Sequence, residues 1–345
     1  MTGFRLTIRK EEDDMSLQRK RTLGKTGFSV SEIGLGTWQV GGKWGEAFNE
    51  KSAEEILNKA IDSGINFIDT ADVYGSGMSE AAVGRVVRKR SERVYVATKC
   101  GRQISPHVSA GYTPERLRAF VEASLKNSGL PILDLIQLHC PPTEVYYRPD
   151  IFELFDRLKD EGKILNLGVS VEKVEEALKA IEYPNVTTVQ IIFNMFRHRP
   201  SALFFEQAAK RNIGVIVRVP LASGLLTGKY GGNTAFGPAD HRTFNRNGEA
   251  FDKGETFSGV PYETGLAAVA RLKEIFPAEP ELALWAIRWI LMFGAVSTVI
   301  PGASRLSQVE SNCEASKLRG LTKAEMDAVD ALYKEMIGPL VHQLW

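Results

Sequence analysis

Along the chain, short runs rich in β-branched residues alternate with longer segments whose apolar side chains recur at helical spacing. The short runs predict strands at Glu32–Leu35, Asn66–Asp69, Val94–Thr98, Asp134–Leu138, Ile164–Val169, Thr188–Ile192, Gly214–Val217 and Thr298–Ile300. Between the first two, Ser52–Ile61 puts Ala53, Ile56, Leu57, Ala60 and Ile61 on one helical face, with Ser52 and Glu55 as a capping box and Gly64 as the stop. Thr113-Pro114 opens another helix, with Leu117, Phe120, Val121 and Leu125 on one stripe. Thr322 and Glu325 cap a last helix that reaches about Met336.

Eight strand-then-helix units predict a parallel sheet covered by helices. A long open sheet would satisfy the same pattern. The closed barrel is favoured because eight is its closing number and no second zone of composition marks another domain. The expected fold class is therefore α/β, a (β/α)8 TIM barrel, with three additions. Lys20–Val30 reads as an N-terminal hairpin around Gly24-Lys25-Thr26-Gly27 that plugs the barrel floor. Leu221–Pro261 is a long, polar, Gly-rich loop after the seventh strand, of the kind that serves as a lid or stays mobile. The last helix is extra to the eight units. Residues 1–19 are expected to be a disordered N-terminal extension, because their mixed acidic and basic residues offer no apolar face, and residues 20–345 a single barrel domain.

Composition narrows the function. With 43 Lys+Arg against 42 Asp+Glu, the chain carries a formal charge of +1, too balanced for a nucleic-acid footprint. Its 43% hydrophobic content over 345 residues supports a full core. The three cysteines, Cys100, Cys140 and Cys313, and the five histidines are scattered, with no metal-ligand or disulfide spacing, so no metal is expected and a reducing, cytoplasmic setting fits. The longest apolar stretch, Leu282–Val296, is interrupted by Arg288 and too short to span a bilayer, so no membrane partner is expected.

In a barrel of this kind the chemistry sits at the C-terminal ends of the strands. Those ends carry Asp69, Lys99 and His139, with Tyr74 in the loop that follows Asp69. Each alone has an ordinary reading: a rim ion pair for the acid or the lysine, a loop aromatic, a core histidine. Together they form a proton-donating set. A phenol with a pKa near ~10 is too weak an acid at neutral pH. A cation ~4 Å away would lower it by on the order of three units at an effective dielectric of ~20. Lys99 would be that cation, Asp69 its counter-charge, and His139 a donor that orients a carbonyl oxygen. The set holds no activated nucleophile and no metal, so a hydride from a cofactor is the natural attacking group.

The chain resembles the aldo-keto reductases from about Lys20 to Ile337. The motifs that carry the resemblance are GLGTW (Gly34–Trp38), GINFIDTADVYG (Gly64–Gly75), VYVATKCG (Val94–Gly101), DLIQLHCP (Asp134–Pro141), LGVS (Leu167–Ser170), PLASGLLTGKY (Pro220–Tyr230) and VIPGASRLSQVESN (Val299–Asn312). The resemblance implies a (β/α)8 barrel, NADPH/NADP as cofactor, a small-molecule carbonyl substrate, and the catalytic tetrad Asp69, Tyr74, Lys99 and His139, with Tyr74 as general acid. It also implies a cofactor path. Thr37 and Trp38 lie in the first strand-end loop, Ser170 and Gln190 hold the nicotinamide carboxamide, and Pro220, Leu221, Ser223 and Lys229 follow the pyrophosphate. Gln308 and Asn312 face the adenine. Read physically, Gly302 and Ser304 lead into a helix start, an anion site by its free N–H groups and dipole, where Arg305 adds a planar donor for a phosphate monoester.

Two departures from the family pattern stand out. Val171 replaces an asparagine common after the serine of GVS, which removes one carboxamide contact. Arg218 stands where many members stack an aromatic ring under the nicotinamide. Its guanidinium either lies on the ring, where its charge would disfavour the oxidised cofactor, or turns aside to a rim carboxylate or the pyrophosphate. The leading reading is reduction of an aldehyde or ketone. The alternatives are oxidation of a sugar or polyol, and a non-catalytic NADPH-binding regulatory subunit like the potassium-channel β subunits, which carry Asn where this chain has His139.

Overall fold

The computed structural model describes residues 18–42 and 46–345. Ten strands are present among them. β1 (Lys20–Thr22) and β2 (Ser29–Ser31) form an antiparallel hairpin. The barrel strands are β3 (Leu35–Gly36), β4 (Phe67–Asp69), β5 (Tyr95–Cys100), β6 (Leu133–His139), β7 (Ile164–Ser170), β8 (Val186–Ile192), β9 (Gly214–Arg218) and β10 (Val296–Val299). They lie side by side in chain order, all parallel. Parallel bridges Ile33–Val299 and Gly36–Gly302 join the first strand to the last, so the eight expected strands enclose a (β/α)8 barrel.

The hairpin plugs the floor as its sequence predicts. Its Leu23 and Val30 are fully buried in a cluster with Phe67, Ala97, Leu135 and Ile216 from the barrel interior. Gly24 sits at φ +51°, and a Cβ there would come within 2.1 Å of the backbone nitrogen of Gly214, so only glycine lets the turn seat against the start of β9. A second, larger apolar layer fills the space between the strands and the surrounding helices.

Three local expectations change. The helix Glu50–Asp62 starts before Ser52, because the Asn49 side chain accepts a 2.9 Å bond from the Ser52 N–H and is the cap. The crossover from β9 to β10 carries two long helices, Tyr262–Ile275 and Leu282–Leu291, rather than one, besides the single helical turn His241–Phe244. Most of the expected extension, residues 1–17, lies outside the described residues, but its Gln18 is buried: it donates to the Cys313 carbonyl at 3.2 Å and accepts from Ser316 Oγ at 3.0 Å. The caps at Thr113 and Thr322 form as expected, the latter with the full Glu325 capping box.

Candidate active site

Strand alternation decides what faces the barrel axis, and each inward row changes from apolar to polar towards the C-terminal rim. β4 runs from Phe67 to Asp69, β5 from Ala97 to Lys99, β6 from Leu135 through Gln137 to His139, and β9 from Ile216 to Arg218, while the residues between them, such as Ile68 and Ile136, pack outward. The floor is sealed and the mouth is chemical.

At the centre, Lys99 Nζ donates to Asp69 Oδ1 at 2.5 Å and to the Thr70 carbonyl at 2.9 Å, and lies 3.4 Å from Tyr74 Oη. Burial opposes the Lys99 charge, but Asp69 and Tyr74 outweigh it and hold its pKa above the usual lysine value. The second Asp69 oxygen accepts from Gln137 Nε2 at 3.0 Å and from Gln190 Nε2 at 2.8 Å. The Tyr74 and His139 rings meet edge to face with centroids 6.1 Å apart. The tetrad is assembled.

The electrostatic expectation for Tyr74 is corrected. Burial is the larger influence and raises its pKa above 10, while Lys99 pulls in the opposite direction without prevailing. His139 is held neutral, its pKa pushed well below the imidazole range by burial and then by the charges of Lys99, Arg102 and Arg218. Its Nδ1 is buried and has no hydrogen-bond partner among the described residues.

Apart from Thr37 and Trp38, which follow β3, the expected cofactor residues lie at or after the ends of the adjacent strands β7 to β10. Ser170 and Gln190 are register partners, 3.5 Å apart through Ser170 Oγ and Gln190 Oε1. Pro220, Leu221 and Ser223 follow β9 in a strained turn in which Val219, Ala222 and Ser223 all have positive φ. Asn194 holds that turn by donating to the Val219 carbonyl at 2.9 Å, and Ser223 Oγ donates to the Glu255 carbonyl at 3.0 Å. The Ser223 hydroxyl therefore serves the loop itself. Lys229 is exposed and paired with Glu281 at 2.9 Å. Beyond β10, Gln308 Oε1 accepts from the Ser304 N–H at 2.8 Å, and Asn312 Nδ2 donates to the Gly302 carbonyl at 3.4 Å, so both pin the approach to the helix Leu306–Lys317. Arg305 is exposed at its start. Thr37 is buried, bonded to Ser79 at 2.8 Å, while Trp38 packs edge-on against His241 with centroids 5.0 Å apart. That contact brings the long segment 221–261 across the mouth to the first strand-end loop.

Arg218 does turn aside. Its guanidinium donates to Glu172 Oε2 at 2.8 Å and to the Val171 carbonyl at 3.1 Å. Sequence reasoning missed Glu172, Glu255, Arg102 and Gln137. Only Gln137 had a signal, its inward parity two residues before His139.

Residues 32–334 match the Aldo/keto reductase family. The chain belongs to that family. The aldo-keto reductase YhdN of Bacillus subtilis is 30% identical over 90% of this chain and 91% of its own length. The NADH-specific methylglyoxal reductase of Escherichia coli is 27% identical over 93% of this chain and 99% of its own. Among solved structures, the glycerol dehydrogenase AKR11B4 from Gluconobacter oxydans superposes with a TM-score of 0.74 at 29% identity, covering 96% of this chain and 97% of that one. This aldo-keto reductase is accordingly an oxidoreductase of carbonyl and alcohol groups, and among its described residues no helix is long and apolar enough to cross a membrane.

Proposed function

We propose that the protein reduces an aldehyde or ketone with NADPH, with Tyr74 as the general acid. The observation that carries this reading is the contact of Tyr74 Oη with Lys99 Nζ at 3.4 Å, on a lysine fixed by Asp69 and beside the neutral His139. When bound, NADPH would supply the hydride for the carbonyl carbon. The neutral imidazole, with one nitrogen buried and unpartnered, donates from the other to the carbonyl oxygen and aligns it. Tyr74 gives its proton to that oxygen as negative charge develops, and Lys99 stabilises the phenolate left behind. Lys99 exchanges no proton itself, because Asp69 keeps it charged. Arg305, exposed at a helix start, supports NADPH over NADH through the 2′-phosphate, although one relative is named as NADH-specific.

The same groups run in reverse for oxidation of a polyol, which the likeness to a glycerol dehydrogenase favours as the second reading. A purely regulatory role fits less well, because His139 completes the tetrad. NADPH consumption with a panel of aldehydes and ketones, against NADP⁺ reduction with polyols, tests the reading. Absence of turnover in both directions would refute it.

A further inference from the structure

Four charged side chains from four separate segments meet beside the tetrad: Arg102 after β5, Glu172 after β7, Arg218 at the end of β9, and Glu255 in the long segment that crosses the mouth. The two glutamate carboxylates and the Cys140 thiol lie within 4.8 Å of one another. That constellation has the donor types of a metal site, but the Arg218 guanidinium already sits in it, 2.8 Å from Glu172 and 3.5 Å from Cys140 Sγ. The cation there is an arginine.

The two arginines differ in how fully they are engaged. Arg218 has a short ion pair, a backbone acceptor and a side chain only 11% exposed. Arg102 approaches Glu255 at 3.6 Å and Glu172 at 3.9 Å, both too long for hydrogen bonds, and its side chain is 23% exposed. Its placement is built in. Gly101 turns the chain at φ +99°, and a Cβ there would meet the Tyr112 ring at 2.7 Å, so the loop is pressed against a fully buried aromatic and directs Arg102 towards the mouth. Arg102 is also one of the charges that act on His139, which puts it on the side where the carbonyl would be held.

The charge balance leaves room for an anion. Glu172 Oε1 is buried without a hydrogen-bond partner. Burial and the charge of Glu172 raise the Glu255 pKa, whereas Arg218 and Arg102 keep Glu172 ionised against the cost of burial. A proton held by Glu255, the direction its surroundings favour, would supply the donor that Glu172 Oε1 lacks and leave two guanidinium charges facing a single carboxylate charge.

We infer that Arg102 is the specificity residue of this reductase, recognising a carboxylate or phosphate group carried by its carbonyl substrate. The inference rests on the proposed carbonyl reduction and adds the class of substrate. A guanidinium whose terminal nitrogens make only long ion pairs, at 3.6 and 3.9 Å, can still close on such an anion in bidentate geometry. An uncharged aldehyde offers it no anionic oxygen to close on.

Matched substrate pairs test it: butanal against succinic semialdehyde for a carboxylate, and glyceraldehyde against glyceraldehyde 3-phosphate for a phosphate. The wild type should favour the charged member of one pair by at least ~10-fold in kcat/KM, chiefly through KM, and the pair that does so identifies the anion. Arg102→Gln should remove most of that preference, and Arg102→Lys should restore part of it. Fluorescence titration with succinate and with inorganic phosphate requires no turnover, and at least one should bind ~10-fold more weakly to Arg102→Gln. Equal kcat/KM within both pairs, or a variant that only melts earlier while its selectivity and anion binding stay unchanged, overturns the inference and leaves the reductase reading standing. Anion binding that depends on Arg102, with no reduction of any of the four compounds, retains the anion site and removes the reductase reading.

Discussion

At the scale of single residues, the phenol is the decisive group. Tyr74→Phe keeps the ring that meets His139 but removes the proton donor. Turnover should fall by at least ~100-fold while NADPH affinity, followed by fluorescence quenching, stays nearly unchanged. Because burial raises the Tyr74 pKa, the phenol keeps its proton through the neutral range, and the rate of reduction should show no loss from tyrosine ionisation until the pH exceeds 10. Arg305→Ala should weaken NADPH and hardly alter NADH, since only the former has a 2′-phosphate, and paired dissociation constants check this. Asp72 carries a cost of a different kind. It is 3% exposed, and burial together with Glu80 raises its pKa from 3.8 to about 7. The folded state therefore binds a proton that the unfolded state has released, and stability falls as the pH rises from about 4 to about 7. Asp72→Asn should raise the melting temperature at pH 8, by up to about 4 kcal/mol of stability, and leave it little changed at pH 4.

At the scale of elements, the hairpin and the long segment close opposite ends of the barrel by different means. The hairpin closes the floor with packing. Leu23 is fully buried against the interior row, so Leu23→Ala should cost about 2–4 kcal/mol in denaturant unfolding. Substrate KM should stay unchanged, because the plug lies at the end of the strands away from Tyr74. The long segment closes the mouth with polar and ring contacts. His241 packs on Trp38, Ser223 bonds the Glu255 backbone, and Glu255 reaches Arg218 at 3.6 Å. The hairpin was legible from its turn residues, because Gly24 and Gly27 have to adopt left-handed conformations. The long segment showed only its length and polarity. Its helical turns at 222–227, 241–244, 253–255 and 257–259 are too short to leave a period.

At the scale of the whole molecule, the barrel begins to pack before its first strand. Deletion of residues 1–14, a mixture of acidic and basic residues, should leave the melting temperature unchanged, whereas deletion through Arg19 should lower it by removing the two bonds of Gln18 to the helix Leu306–Lys317. Eight apolar runs, each followed by a helical stripe, specify a parallel sheet covered by helices, because parallel strands need crossover helices, and eight favours closure, which the bridges between the first and last strands complete. The same alternation makes Asp69, Lys99 and His139 readable, since residues two apart on a strand share a face and the last inward position reaches the rim. What the sequence could not determine is which charges meet. Glu172 and Glu255 are 83 residues apart in number, and their meeting with Arg102 and Arg218 depends on how far a long segment folds back over the mouth. Arg218 alone has two open fates, on a ring or on a carboxylate, and the carboxylate won because Glu172 arrives within 2.8 Å. The downward shift expected for Tyr74 from Lys99 was reversed by its burial, because a neighbouring lysine and the loss of water act in opposite directions. Local pattern determines elements and the faces they present. Pairings between loops, and the desolvation that goes with them, are set only when the chain is closed.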